Sequence, residues 1–361
     1  MSKKFHLADH RLNVTRRTIL KGAGATAGLA AAGSLSMPAI AQSKPEQLVI
    51  ASGGGALDEA YKAAYFDSFT EKTGIKILTA PYAGLAKIKS MVEASNVDLD
   101  VLNIDAAEAP VAGKNGWLVP LDWGLFDRKR VIPTAAWDDH VYAEVAAKVL
   151  AWNTDTMGSK PPQGWADMWN LKQFPGQRSL WKQAFQTLEV ALMGDGVAKD
   201  AIYPIDVERG LSALDKIRDQ LVWWESGGQS AQFLIDGETD VGSTWNGRVY
   251  GPKTDGATVD YTFNDALFVS GAWCVVKGAK NVKWSMEFVA HTLDPERQAV
   301  YSQHIPYGPV VPEALKFIPK ERLPLLPSSE ENIGKGVWSD FGFWAENGEG
   351  VINSFNEWLL G

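Results

Sequence analysis

Apolar and polar positions alternate in blocks from residue 46 onward. Leu48-Val49-Ile50-Ala51-Ser52 is a short apolar run that predicts a strand, and it enters Gly53-Gly54-Gly55. Leu57, Ala60, Tyr61, Ala64, Tyr65 and Phe69 then recur at helical spacing, so a helix is predicted over 56–72. Gly74-Ile75-Lys76-Ile77-Leu78 predicts a second strand, 86–94 a second helix, and 99–104 a third strand. Alternating strands and helices imply an α/β sheet that takes ligands at the carboxyl ends of its strands. Further on, 145–152 predicts a strand leaving this first unit, and Trp165-Ala166-Asp167-Met168-Trp169 a short helix. Helical patterns cover 185–193 and 207–220. Residues 240–245 predict a strand that turns at Asn246-Gly247, and 272–276 a strand returning the chain to the first unit. An aromatic-rich helical tail spans 338–360.

The N-terminus breaks the pattern. Thr15-Arg16-Arg17-Thr18-Ile19-Leu20-Lys21 is a twin-arginine motif, and a weakly apolar Ala/Gly stretch follows it to Ala39-Ile40-Ala41. Basic region, modest apolar region and small-residue cleavage site stand in the order of a signal peptide, expected over 1–41. Gly22, Gly24 and Gly28 loosely match a dinucleotide fingerprint, but no strand precedes them and they fall inside the leader. The Ala/Gly stretch is too weakly apolar for a retained span, and no later segment offers about 18 continuous apolar residues. A soluble, periplasmic product is expected.

Composition sharpens this. The 361 residues exceed a single domain of about 150, so two domains are expected. The net charge of −8 becomes −13 once the leader, with six of the 35 basic and one of the 43 acidic residues, is removed. Such an acidic chain is not expected to bind nucleic acid. The single cysteine, Cys274, excludes an internal disulfide and a cysteine-rich metal site, and its apolar neighbours mark it as a buried small hydrophobe. His140, His291 and His304 lack metal-ligand spacing, and neither a P-loop nor a nucleophile elbow is present, so no cofactor or metal is expected. Fifteen tryptophans are more than a core needs, and some are expected to line a binding surface.

Several short motifs then occur in a telling order. They are Asp100-Val101-Leu102, Gly116-Trp117-Leu118-Val119-Pro120-Leu121-Asp122, Trp152-Asn153-Thr154-Asp155, the Trp165–Trp169 segment, Trp245-Asn246-Gly247, Gly278-Ala279-Lys280-Asn281 and Tyr307-Gly308-Pro309. In this succession the chain resembles periplasmic solute-binding proteins of ATP-driven importers, in particular the spermidine/putrescine-binding branch. The resemblance implies a two-lobed α/β fold of type II-like organisation, its lobes joined by crossing strands and hinged around a ligand. Lobe 1 would comprise 46–148 and 271–318, and lobe 2 would comprise 149–270 and 319–361. It also implies a monomer that docks on a membrane permease and its ATPase, and no catalysis.

The ligand positions depart from the polyamine branch. Its first strand ends in aromatic and acidic residues, where this chain has Gly53, Gly54 and Gly55. Its second-lobe helix carries acids where this chain has Gln183 and Gln186, and Val269 and Gly271 replace an aromatic and an acid before the returning strand. A polyamine needs several carboxylates to replace its hydration. Arg248, next to Trp245-Asn246-Gly247, instead offers a fork for a carboxylate or phosphonate, and the N–H groups of Gly54 and Gly55 offer a second anion contact. Asp105 matches a ligand-facing position and suits an ammonium, while Trp245, Trp181 and Tyr307 would wall an alkyl segment. The expected ligand is a small zwitterion resembling 4-aminobutyrate. One alternative is a polyamine held by Asp105, Glu108 and Asp340; another is an exported enzyme, for which no catalytic cluster is evident. N-terminal sequencing of the exported protein is expected to start at Gln42; an exported chain starting at Met1 removes the signal-peptide reading.

Overall fold

The computed structural model describes residues 44–158 and 160–361, so the expected signal peptide lies outside the described residues. The described strands are, in chain order, β1 (Gln47–Ser52), β2 (Lys76–Pro81), β3 (Val101–Asp105), β4 (His140–Tyr142), β5 (Ala146–Asn153), β6 (Arg178–Trp181), β7 (Leu221–Trp224), β8 (Val241–Trp245), β9 (Val259–Val269), β10 (Gly271–Val275) and β11 (Val337–Trp338). They form two sheets. The first has the order β2-β1-β3-β10-β4 and the second the order β11-β9-β5-β8-β6-β7. β1 is parallel to β2 and β3, whereas β10 runs antiparallel to β3 and β4. In the second sheet β6 is parallel to β7 and β8, and β5 is antiparallel to β8 and β9. Helices fill the long connections, as parallel strands require.

The chain passes from the first sheet to the second between β4 and β5, and returns between β9 and β10. Buried Glu144 ties the two passages together. Its Oε1 accepts the Gly271 N–H at 2.9 Å and its Oε2 accepts the Tyr61 hydroxyl at 2.9 Å. The Ser270 hydroxyl donates to the Glu144 carbonyl. Tyr61 belongs to a continuous helical segment made of Ala56–Tyr61, a π turn over Lys62–Phe66, and Asp67–Thr73. Its predicted apolar face, including Ala60, Tyr61, Ala64, Tyr65 and Phe69, is buried against Trp273 and Phe288. A large apolar side chain such as Phe69 contributes roughly 1.5–3 kcal/mol by leaving water, and an alanine methyl roughly 0.8 kcal/mol.

Most predicted elements occur within a residue or two of their expected ends, and three expectations are corrected. Asn246-Gly247 is not a turn but the start of the helix Asn246–Thr254. The buried Asn246 amide is a tertiary tie: Oδ1 accepts the Ala147 N–H at 3.0 Å and Nδ2 donates to the Pro306 carbonyl at 2.7 Å. Phe185 and Gln186 are not helical, with Gln186 at φ 66, because Gln186 turns its amide toward Trp245 and Asp105. The helix from Val207 ends at Asp215, where the chain shortens into a 3₁₀ turn, Arg218–Gln220, that feeds β7. The tail is helical over Phe341–Leu359, capped by the Asp340 carboxylate, which accepts the Phe343 N–H at 2.9 Å.

Replacing Asn246 with Leu strands two buried backbone groups and is expected to cost about 2–4 kcal/mol in urea unfolding. A change below about 0.5 kcal/mol would mean that β5 does not depend on this tie.

Candidate functional site

Three neighbouring strands of the second sheet, β8, β6 and β7, end in Trp245, Trp181 and Trp224. Parallel pairing sets Trp181 opposite Trp224, and antiparallel pairing sets Trp245 opposite Lys148 of β5. Trp181 and Trp224 stack at 5.6 Å, and Trp245 stands edge-on to both at 5.1 Å. Lys148 reaches into the space between them. Its Nζ lies 3.8 Å from the Trp245 ring, 4.3 Å from Trp224 and 4.8 Å from Trp181, and it has no hydrogen-bond partner among the described residues. Burial pulls its pKa well below that of an exposed lysine; the charges of Asp105 and Glu189 oppose the shift.

A hydrogen-bonded line runs outward from this cage. The Trp245 indole N–H donates to Gln186 Oε1 at 3.1 Å, and Gln186 Nε2 donates to Asp105 Oδ2 at 3.3 Å. Asp105 ends β3 and its other oxygen accepts the Ala107 N–H at 2.9 Å. Although Asp105 keeps some accessible surface, burial pushes its carboxyl well above the usual carboxylate range. The Ala107 N–H opposes this shift, the charge of Glu108 adds to it, and Lys148 opposes it. Glu108 itself is raised to about 7 by burial, against the pull of the Tyr82 hydroxyl.

Arg248, half-buried on the helix that follows β8, lies beside Trp245. Gly227 explains the fit, since a Cβ there would sit 2.7 Å from Arg248 Nε and 3.2 Å from the Trp245 ring. Among the described residues no carboxylate pairs with Arg248, neither Asp240 nor Asp255; its Nη2 instead points to the Gly54 carbonyl at 3.5 Å. Two contacts therefore join the sheets' facing ends, Arg248 to Gly54 and Gln186 to Asp105. Gly54 and Gly55 adopt positive φ before the first helix, with Gly55 against Arg248. Tyr307 is buried and packs over Gly247, where a Cβ would lie 2.7 Å from its ring. Gln183 is exposed, apart from the Gln186 line. Trp181, half-buried, belongs to the cage and also meets Phe185 edge-on. Asp340 is committed to capping the tail helix.

Residues 64–327 match the model of the bacterial extracellular solute-binding protein family. The chain belongs to that family. A gamma-aminobutyric acid-binding protein of Pseudomonas aeruginosa is 33% identical over 331 residues, covering 90% of this chain and 94% of the relative. A spermidine/putrescine-binding periplasmic protein of Haemophilus influenzae is 25% identical over 293 residues, covering 76% and 79%. The solved Atu4243 GABA receptor superposes with a TM-score of 0.80 at 31% identity, covering 86% of this chain and 97% of the receptor. The two sheets are thus those of a two-lobed α/β periplasmic binding protein. Among the described residues no helix is long and apolar enough to cross a membrane.

For this solute-binding protein, sequence reasoning missed Lys148, Trp224 and Glu189. A lysine inside Ala146-Ala147-Lys148-Val149-Leu150-Ala151, an otherwise apolar strand, was the available signal, as were three strand-ending tryptophans. Glu189 lies inside a fully buried helix; its Oε1 accepts Tyr203 and Trp344 at 2.8 Å each, and its Oε2 is buried without a hydrogen-bond partner. Burial raises its pKa from 4.5 to about 7 in spite of those donors. A carboxyl raised on folding favours the folded state only while protonated, so stability falls as pH rises from about 4.5 through about 7. Unfolding free energies from urea titrations are expected to be lower at pH 8 than at pH 5, and Glu189→Gln is expected to remove Glu189's share of that difference, on the order of 2–3 kcal/mol, leaving the share of the similarly raised Glu108. An unchanged pH slope in the variant would assign it elsewhere.

Proposed function

We propose that this protein is the periplasmic binding component of an ABC importer and captures a small zwitterionic amino acid resembling 4-aminobutyrate between its lobes. The lobes would comprise 46–148 with 271–318, and 149–270 with 319–361. The twin-arginine signal of 1–41 would export the chain, which would act as a monomer and deliver its ligand to a permease driven by a cytoplasmic ATPase, without catalysing a reaction.

The observation that carries this reading is the separation of charge along one wall. Arg248, with no carboxylate of its own, stands at one end of the wall. Asp105 stands at the other, reached through Trp245 and Gln186. A ligand carboxylate takes the guanidinium fork, the ammonium takes Asp105, and the methylenes lie along the indole of Trp245. Tyr307 closes the Arg248 side, and Gly54 and Gly55 bring backbone close to the anionic end. Trp181 backs Trp245, while Gln186 orients both the indole and the carboxylate; Gln183 stays at the rim.

The charge balance favours a zwitterion over a polyamine. Asp105, Glu108 and Glu189 are acids of this region, and burial raises the pKa of the latter two to about 7, so part of their charge is lost at neutral pH. Arg248 adds positive charge to the same region, so a di- or trication meets too little uncompensated negative charge. The gamma-aminobutyric acid-binding relative and the GABA receptor structure support the same reading, and the polyamine-binding relative is less similar.

Calorimetry against amino acids and polyamines is expected to give tight binding of a zwitterion. Tight putrescine binding with no amino-acid binding rejects it. Arg248→Ala removes a charge-assisted contact of about 1.5–3 kcal/mol and is expected to weaken binding about 10- to 100-fold; unchanged affinity rejects Arg248 as the anchor. Asp105 must be ionised to hold the ammonium, and its pKa is raised. Affinity is therefore expected to fall as pH drops into that raised range, and Asp105→Asn is expected to be weak and pH-independent.

A further inference from the structure

The amino group of Lys148 has no assigned role, yet its surroundings are those of a recognition site. Three indole rings face it at 3.8, 4.3 and 4.8 Å, well within the range over which an aromatic face attracts an ammonium. Proteins that bind ammonium ligands build cages of this kind from several aromatic rings. Here the cage is filled from within by a side chain that is 1% exposed and forms no hydrogen bond. An amine placed for structural pairing would be expected to meet a carboxylate or carbonyl, as buried charges do. Glu189 Oε2, also buried and unpartnered, belongs to the same region, as its charge acts on Lys148.

We infer that Lys148 is a specificity-determining residue: its amino group occupies the aromatic cage of Trp181, Trp224 and Trp245 and so denies that cage to a second amino group of the ligand. This rests on the zwitterion reading, which places the ligand's single ammonium at Asp105. Trp245 belongs both to the cage and to the wall along which the ligand lies, so the cage adjoins the ligand. A diamine anchored at Asp105 would need a second cation site. Arg248 repels it at one end of the wall, and Lys148 already fills the aromatic site behind Trp245. A monoamine carrying a carboxylate needs neither place for a second ammonium.

The test is the ratio of putrescine to 4-aminobutyrate affinity, read by calorimetry on the full mature chain. The wild type is expected to prefer 4-aminobutyrate by at least 100-fold. Lys148→Ala is expected to reduce this preference at least tenfold through a gain in putrescine affinity. Lys148→Ser reads the same ratio should the Ala variant fail to fold. A folded Ala or Ser variant with the wild-type ratio overturns the role of Lys148. A wild-type protein that binds both ligands within tenfold of each other overturns it without any variant. A wild type that binds putrescine but not 4-aminobutyrate overturns the zwitterion reading itself, which separates the two failures.

Discussion

An amine buried in a central strand is the constraint around which the second sheet is arranged. β5 pairs with β8 on one side and β9 on the other, and all eight of its residues are buried. Seven of them suit that place; Lys148 does not. Desolvating an ammonium is costly, and no hydrogen-bond acceptor lies within reach to offset it. The compensation comes from the faces of three indoles and the fields of Asp105 and Glu189. That compensation requires β6, β7 and β8 to end at one level, each in tryptophan. The same level carries Trp245 to Gln186 and, through it, to Asp105 on the other sheet.

Binding and hinge chemistry are kept apart. The passages between the sheets are joined by Glu144, whose carboxylate takes its donors from Gly271 and Tyr61 and is unavailable to a ligand. The proposed ligand-binding residues lie mostly on the strand ends and the helices or loops that follow. Arg248 stands on the helix after β8 of the second sheet and Asp105 ends β3 of the first, so the proposed ligand would link the two halves. The Gln186–Asp105 and Arg248–Gly54 contacts, at 3.3 and 3.5 Å, are long hydrogen bonds that a charged group readily outcompetes.

Net charge and site charge point in different directions. The surplus of 13 acids beyond residue 41 suggests a cationic solute, but most acids of that stretch are on the surface. Arg248 stands in the same region as the acids Asp105, Glu108 and Glu189, and burial raises the pKa of the latter two to about 7. Whole-chain charge governs solubility and long-range attraction; recognition is decided by the few groups that lose their water.

Much of the fold was legible in the sequence because its signal is local. The run from Leu48, the helical spacing after Ala56 and the strand at 145–152 each report a periodicity of neighbouring residues, and a resemblance in motif order gave the two-lobed class. Arg248, Trp245 and Asp105 were legible as chemistry, since their types suit the ends of a zwitterion. What the sequence by itself determined was thus the elements, their class and a plausible set of polar groups. Tertiary structure alone decided that Asn246-Gly247 opens a helix, because its amide is taken by Ala147 and Pro306. It alone decided that Gln186 leaves helical geometry and that Gln183 stays outside. It alone brought Lys148 under three tryptophans up to 97 residues away. The reason is physical: burial and strand register depend on distant partners, and no local pattern encodes which distant side chain will share the same dry space.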